Sequence, residues 1–152
     1  MANTYTQIFI QVVFAVKGRQ NLIPKDRKDD LYKYITGIIK NKGHKLIIIN
    51  GMSDHIHIFI SLNPDESISS LIKEVKRMTS IHINQNKWVN GKFEWQRGFG
   101  AFSYSKSQLT DVCKYIENQE KHHKTKTFKE EYIEFLQKFE INYNPNYIFD
   151  EV

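Results

Sequence analysis

The chain has 152 residues and a formal net charge of +5, with 40% hydrophobic and 26% charged residues. This length and composition are typical of one globular domain and exclude an intrinsically disordered chain. The charge is unevenly divided. Residues 1–129 carry 21 Lys/Arg against 11 Asp/Glu, whereas residues 130–152 carry one Lys against six acids. A basic body with an acidic tail suggests an anionic partner, with nucleic acid as the first candidate and ordinary solvated surface charge as the alternative.

Membrane and secretory classes are also disfavoured by the sequence. No apolar run approaches the ~18–20 residues that span a bilayer. The N-terminal residues lack the basic and apolar regions of a secretory signal. The single cysteine, Cys113, can form neither an internal disulfide nor a cysteine-based zinc site. These features predict a cytoplasmic protein with no membrane association.

Hydrophobic periodicity predicts the elements in chain order. A strand over residues 5–16 is followed by a helix over 24–41 that ends near Gly43. A short strand over 45–50 leads into Asn50-Gly51, a pair typical of hairpin turns. The next strand covers 55–62, and Ser67 is placed to cap a second helix over 67–86.

The remaining sequence predicts one more strand and two helices. The strand lies within 93–104, and Ser105 or Ser107 caps a third helix that runs to about residue 121. Thr127 and Glu130 have the spacing of a capping box. They open a fourth helix, whose apolar positions are Tyr132, Phe135, Leu136 and Phe139.

The predicted order β-α-β-β-α-β, followed by two helices, is that of an α+β, ferredoxin-like (split βαβ) fold. We therefore expect a four-stranded antiparallel sheet with helices on one face plus two C-terminal helices. Residues 1–152 form a single domain: 1–104 the βαββαβ core, 105–123 the third helix, and 127–152 an acidic C-terminal helix and tail. The fold alone does not specify a function.

Two histidines, His55 and His57, flank Ile56 in the third strand. Because strand side chains alternate, both imidazoles leave the same face of the sheet, with Cα atoms ~6.5–7 Å apart. Two imidazoles at this spacing can bind one divalent cation, but the site needs at least one further ligand. Two histidines on a half-exposed sheet face, without a metal, are the alternative at this point.

The third helix can supply the missing group. Tyr115 and Gln119 are one turn apart and project together. The Gln119 amide oxygen can serve as a metal ligand, and Tyr115 can present its phenol beside the metal. Taken alone, Tyr115 is equally compatible with packing at the margin of an amphipathic helix. His122 and His123 are expected to face solvent.

Three segments together resemble a known family. They are Asp54–His57, Trp95–Ser103 and Tyr115–His123. In order and spacing they resemble the single-tyrosine HUH transposases (TnpA-type, insertion sequence 200-like), over essentially the whole chain. The resemblance implies that His55, His57 and Gln119 bind Mg²⁺ or Mn²⁺. It also implies that Tyr115 attacks single-stranded DNA and forms a 5′-phosphotyrosine intermediate.

The resemblance further implies a homodimer whose active sites are shared between subunits and which cuts and rejoins strands at element-end hairpins. Two positions depart from the family pattern. Ser53 stands where proline is common, which affects only the turn. Arg97 stands where glutamate is common, so its role is undefined. The acidic tail would repel a phosphate backbone, and we therefore expect it to pack away from the DNA path.

Other functions fit part of the sequence. A non-catalytic ferredoxin-like nucleic-acid-binding module would bind bases on its sheet, but the sequence has no matching run of aromatic residues and the paired histidines occupy that surface. A two-histidine phosphoesterase needs two His-x-Thr/Ser motifs, and only His123-Lys124-Thr125 fits. A domesticated relative that cuts hairpins without moving an element would have the same active-site residues.

Overall fold

The computed structural model describes residues 3–18 and 22–148. The strands of this part are β1 (Phe9–Ala15), β2 (Lys45–Met52), β3 (His55–Ser61) and β4 (Gly100–Tyr104). Its α-helices are α1 (Lys28–Asn41), α2 (Ile68–Gln85), α3 (Leu109–Glu117), α4 (Gln119–His122) and α5 (Phe128–Lys138). Short 3₁₀ turns lie at Lys25–Arg27, Lys106–Gln108 and Pro145–Tyr147.

The four strands form one antiparallel sheet in the order β2-β3-β1-β4. This is the predicted ferredoxin-like arrangement, in which β1 and β3 are the central strands. They pair along their whole length, from Phe9 opposite Ser61 to Ala15 opposite His55. The central position of β3 removes both edges of its backbone from solvent and gives its side chains fixed positions.

The local signals in the sequence act as predicted at three element boundaries. The Ser67 side chain accepts a hydrogen bond from the Ser70 backbone at the start of α2. Thr127 accepts one from the Glu130 backbone at the start of α5. Gly43 follows α1 with φ of +85°, a conformation that favours glycine.

Helices cover both faces of the sheet. Helices α1 and α2 pack on the face formed by alternate residues of β1 and β3, including Val12, Phe14, Ile56, Ile58 and Ile60. The opposite face packs against α3 and α5, with Phe59 contacting α3 and Val13 and Ala15 lying in the cluster around α5. The two C-terminal helices of the prediction therefore lie across the sheet from α1 and α2, and the predicted third helix is divided into α3 and α4.

The predicted hairpin turn at Asn50-Gly51 is wrong. Strand β2 continues to Met52, with Asn50 opposite His57 and Gly51 opposite Ile56, and the chain reverses at Ser53 and Asp54. Glycine is required at position 51 for a different reason. A Cβ atom there would lie 2.2 Å from the carbonyl oxygen of His55. Strand pairing therefore overrides the local turn preference of this dipeptide.

The division of the predicted third helix occurs at Asn118, which has φ of −97° and ψ of 29°. The Asn50 side chain from β2 donates hydrogen bonds to the carbonyl oxygens of Ile116 (2.9 Å) and Glu117 (3.1 Å). These carbonyls end α3, where helix hydrogen bonding leaves acceptors unpaired. The sheet thus fixes the place where the helix bearing Tyr115 stops.

Candidate active site and metal centre

The face of the sheet below α3–α5 presents a row of buried polar side chains. Gln11 of β1 and both histidines of β3, His55 and His57, are fully buried. The two imidazoles lie side by side, with ring centroids 5.1 Å apart. Strand alternation explains this placement, because the intervening Ile56 points into the apolar core on the other face.

The short helices bring two further predicted residues onto these imidazoles. The Gln119 amide oxygen lies 3.0 Å from His55 Nε2. The Tyr115 ring packs against His57, with centroids 6.1 Å apart. All four residues singled out in the sequence therefore meet at one place, and they do so within one chain.

A carboxylate that the sequence analysis missed lies at the middle of this group. Glu131 of α5 is 2% exposed, and its Oε1 lies 3.1 Å from His57 Nε2 and 3.5 Å from His55 Nε2. Its Oε2 accepts hydrogen bonds from the Tyr115 hydroxyl and from the Gln119 amide (3.3 Å). The apolar periodicity of α5 contains a signal for this residue. Glu131 falls among the inner positions of the helix, where an acid is rarely buried without partners.

The position of Glu131 also corrects the interpretation of the charge split. It is one of the six acids of residues 130–152, which were expected to lie away from the DNA path. Burial alone would raise the pKa of Glu131, but hydrogen bonds from His123 and His57 outweigh it and hold that pKa far below its ordinary value. A buried negative charge therefore stands among the imidazoles.

Hydrogen bonding fixes the orientation of both imidazoles. His55 Nδ1 lies 2.6 Å from the Asp54 carboxylate, so this nitrogen carries the proton and Nε2 presents a lone pair. His57 Nδ1 lies 2.9 Å from the Gln11 amide, which also accepts a hydrogen bond from Tyr104. Because Tyr104 occupies the Gln11 oxygen, the Gln11 amide nitrogen donates to Nδ1, and His57 Nε2 carries the proton that it donates to Glu131. A metal ion bound at Nε2 would displace this proton.

The donor set fits a divalent cation. Ligand atoms of His55, His57 and Glu131 all lie within 4.8 Å of one another. The Gln119 oxygen faces the same space, and the carboxylate of Asp54 orients His55 in the way that carboxylates orient metal-bound histidines. Imidazole nitrogens with carboxylate and amide oxygens form a recognised set of ligands for divalent metals.

Comparisons with known proteins identify the family. The family profile described as "Transposase IS200 like" matches residues 4–119, which include His55, His57, Tyr115 and Gln119. This chain belongs to the IS200-like transposase family. The ISDra2 transposase TnpA of Deinococcus radiodurans is 24% identical over 118 residues, covering 74% of this chain and 84% of that protein.

Two solved structures share the transposase fold. One is a transposase from D. radiodurans R1, with a TM-score of 0.57 and 21% identity, covering 77% of this chain and 94% of the other. The second is a REP-associated tyrosine transposase bound to a REP hairpin, with a TM-score of 0.62 and 14% identity. That match covers 80% of this chain and 72% of the other.

The phenol of Tyr115 in this transposase is held in a protonated state. Burial raises its pKa above the ordinary value, and the neighbouring charge of Glu131 raises it further. His122 stacks on the same ring, with centroids 4.4 Å apart. The phenol therefore lies between the imidazole of His122 and the Glu131 carboxylate.

The expectation that His123 faces solvent is wrong. Its side chain is 8% exposed, and Nε2 lies 3.2 Å from both the Gln119 oxygen and Glu131 Oε1. The cause is the turn between α4 and α5, which folds the chain back so that both helix ends meet over the sheet. His123 and Glu131 both lie beyond the residues that match the transposase profile.

Several lysines of the basic body, residues 1–129, have protein partners. Lys17 lies 3.6 Å from Glu94, and Lys126 lies 2.6 Å from Glu134. Lys76 donates to the carbonyl oxygen of Gln96 at 3.0 Å, which anchors the loop that contains Arg97. Across the residues that the structure describes, no helix is both long and apolar enough to cross a bilayer.

Proposed function

We propose that this chain is a metal-dependent transposase of single-stranded DNA that cuts and rejoins strands at element-end hairpins through a 5′-phosphotyrosine on Tyr115. The observation that supports this is the meeting of the Tyr115 phenol with two imidazoles, an amide oxygen and a carboxylate in one buried centre. The REP-associated tyrosine transposase that shares this fold is bound to a REP hairpin, which supports hairpin DNA as the partner here.

His55, His57 and Gln119 are the proposed ligands of Mg²⁺ or Mn²⁺, and Glu131 joins them. When bound, the cation would neutralise charge on the non-bridging oxygens of the scissile phosphate and orient it for in-line displacement. Side chains of the protein orient the proposed ligands and Tyr115. Asp54 and Gln11 fix the imidazole orientations, and the end of α3 holds the Tyr115 ring beside His57.

The proposed chemical step exchanges one phosphodiester bond for another. The Tyr115 oxygen forms a bond to phosphorus while the bond from phosphorus to the 3′ oxygen breaks. The phenol loses its proton, and the departing 3′ oxygen takes one up to give a free 3′-OH. The phenolic proton points at Glu131 before the reaction. A different 3′-OH can reverse the step and regenerate the phenol, so strand joining needs no external energy source.

Access to Tyr115 is provided by a cleft of about 360 Å³. Its lining includes Tyr104, Gln108, Tyr115, Phe135 and Lys138. The aromatic rings beside Tyr115 suit stacking of an unpaired base. Three acids, Asp111, Glu131 and Glu134, also line the cleft and outnumber Lys138, so the phosphate there would need the charge of the bound cation. We assign the scissile nucleotide to this cleft.

A covalent-adduct assay tests the function. The protein is incubated with Mg²⁺ or Mn²⁺ and single-stranded DNA from the flanks of its own gene, and the products are separated by denaturing electrophoresis. A protein–DNA adduct is expected from the wild type. It should be lost in Tyr115→Phe and retained in Tyr34→Phe, which alters a tyrosine stacked on His82 of α2.

The other outcomes separate the alternatives. An adduct undiminished in Tyr115→Phe would reject the proposed nucleophile. Hairpin binding without any adduct would identify a non-catalytic nucleic-acid-binding module. Cleavage without rejoining would identify a domesticated hairpin-cleaving relative.

The homodimer with shared active sites stays a prediction. Mixing His57→Ala with Tyr115→Phe tests it, since hybrid dimers restore activity only if the histidines of one subunit act with the tyrosine of the other. The contacts within the chain support a site completed by one subunit. Absence of rescue would argue for that arrangement.

A further inference from the structure

His123 is aimed at the proposed metal site by a bond on its far side. Its Nδ1 lies 3.0 Å from the carbonyl oxygen of Lys126, which can only accept a hydrogen bond. Nδ1 therefore carries a proton, and Nε2 faces the centre. There it lies 3.2 Å from the Gln119 amide oxygen and 3.2 Å from Glu131 Oε1.

With His123 neutral, this arrangement places acceptors against acceptors, whereas a doubly protonated His123 donates from Nε2 to Glu131. A neutral His123 presents a lone pair at Nε2, and so does His55, whose Nδ1 is committed to Asp54. Both lone pairs point at the oxygens of Gln119 and Glu131, neither of which can donate. A cation among these atoms satisfies all of them at once.

Five of the separations between these atoms are those of neighbouring ligands on one metal ion. Neighbouring ligand atoms on metal bonds of ~2.1 Å are ~3.0 Å apart in octahedral geometry and ~3.4 Å apart in tetrahedral geometry. The separations from the Gln119 oxygen to His55 and His123 are 3.0 and 3.2 Å. Those from Glu131 Oε1 to His57, His123 and His55 are 3.1, 3.2 and 3.5 Å.

We propose that His123 is a third imidazole ligand of this centre, and that the centre consequently selects a transition-metal ion such as Mn²⁺ over Mg²⁺. The inference rests on the proposed metal-dependent function. Mg²⁺ prefers oxygen ligands and retains several waters, whereas imidazole nitrogens bind first-row transition metals more strongly. Three imidazoles with one carboxylate and the Gln119 amide oxygen leave Mg²⁺ a minority of the oxygen ligands that it prefers.

The competing interpretation is an ion pair in which a doubly protonated His123 donates to Glu131 and takes no part in metal binding. The two interpretations differ in what Nε2 contacts once metal is added. They are separated by metal affinity and by spectroscopy of the metal, without any measurement of DNA cleavage.

The test measures Mn²⁺ and Mg²⁺ binding to the whole chain without DNA. Dissociation constants come from titration with Mn²⁺ followed by electron paramagnetic resonance, with Mg²⁺ as competitor. Nitrogen ligands are counted by pulsed measurement of the bound Mn²⁺. The variants are His123→Ala, His57→Ala and the control His82→Ala, which removes an imidazole stacked on Tyr34.

We expect the wild type to bind Mn²⁺ at least ~10-fold more tightly than Mg²⁺, with three coupled imidazoles. His123→Ala should weaken Mn²⁺ binding by ~10- to 100-fold and remove one coupled nitrogen, and His82→Ala should change neither. His123→Asp offers an oxygen in place of nitrogen, and should lower the preference for Mn²⁺ over Mg²⁺. This second variant keeps the test informative if the alanine variant folds poorly.

The failures can be told apart. Unchanged Mn²⁺ affinity and nitrogen count in His123→Ala, with both reduced in His57→Ala, would overturn the role of His123 and leave the proposed metal site intact. No Mn²⁺ binding by the wild type, or full binding by His57→Ala, would overturn the metal site and this inference together. Equal affinity of the wild type for Mn²⁺ and Mg²⁺ would overturn the selectivity.

Discussion

Both faces of the central strands are buried, but one face carries apolar side chains and the other carries polar side chains. Along β3, Ile56, Ile58 and Ile60 point to one face, and His55, His57 and Phe59 point to the other. All six are at most 1% exposed. The alternation of one strand therefore supplies both an apolar core and a polar centre, with only the thickness of the sheet between them.

The difference shows how the molecule separates stability from chemistry. Apolar burial under α1 and α2 stabilises the fold without any specific partner. On the opposite face each buried polar atom must find a partner or lose free energy. The short, broken helices α3 and α4 and the inner acid of α5 provide those partners. They also place Tyr115 where the polar groups already lie.

The largest expected effect tests the apolar face. Ile58→Ala should lower the free energy of unfolding by about 2–5 kcal/mol, since Ile58 is 1% exposed and its removal leaves a cavity between β3 and the helices. Urea denaturation measures the change. The matched control is Ile81→Ala on α2, where the side chain is 43% exposed and the loss should stay below ~0.5 kcal/mol. Similar losses at both positions would show that this face is not the main source of stability.

A second variant disturbs both faces together by shifting the β2–β3 register. Gly51→Ala would place a Cβ atom 2.2 Å from the His55 carbonyl oxygen and 2.9 Å from the Ile56 Cα. We expect a loss of about 1–3 kcal/mol, measured by urea denaturation, because backbone atoms cannot yield as a side chain would.

Gly37→Ala in α1 is the control for this substitution. A Cβ atom there would have nothing within 4 Å, and it should stabilise the helix by about 0.5–1 kcal/mol. A neutral Gly51→Ala would show that the β2–β3 hairpin opens easily, contrary to its fixed pairing.

The β2–β3 hairpin also shows which features of the fold the sequence could not predict. Alternation and helical periodicity are local patterns, and they predicted the order of elements and the common face of His55 and His57. The turn preference of Asn50-Gly51 is local as well, but pairing with β3 overrides it. Sheet register depends on contacts between strands, which a single-strand pattern does not contain.

The candidate site likewise contains residues that local patterns predicted and residues that they did not. Tyr115 and Gln119 were found because they lie one turn apart and fit a family pattern. Glu131 and His123 were missed because their positions depend on how α5 folds back over the sheet, a long-range contact. The buried acid at an inner position of α5 was the one local signal, since it follows Phe128 by three residues.

The polar face depends on a smaller contact that joins the sheet to the end of the helix that bears Tyr115. Asn50→Ala removes the amide that donates to the carbonyl oxygens of Ile116 and Glu117. We expect about 1 kcal/mol of destabilisation. Hydrogen exchange should increase selectively over residues 115–122. Asn118→Ala, which removes an amide bonded to Lys114 within the same helix, should affect only the end of α3. Equal, uniform exchange in both variants would exclude a specific anchoring role for Asn50.

The smallest effect concerns charge outside both faces, where Glu66 at the start of α2 accepts hydrogen bonds from His44 (2.7 Å) and Lys42 (2.9 Å). The hydrogen bond from His44 is the main cause that lowers the pKa of Glu66 from 4.5 to about 2. A carboxylate whose folded pKa is depressed stabilises the protein above its unfolded pKa, and this stabilisation is lost as pH falls through the folded value. Wild-type stability should therefore decline between pH ~4.5 and ~2. Glu66→Gln should be less stable at pH 7 by on the order of 1 kcal/mol, after allowance for solvent screening, and should lose less stability on acidification.

Urea denaturation at pH 7, 4.5 and 3 measures both trends, with the neighbouring Asp65→Asn as control. Parallel acid profiles for wild type and Glu66→Gln would place the acid sensitivity elsewhere, with the buried carboxylate of Glu131 as the next group to test.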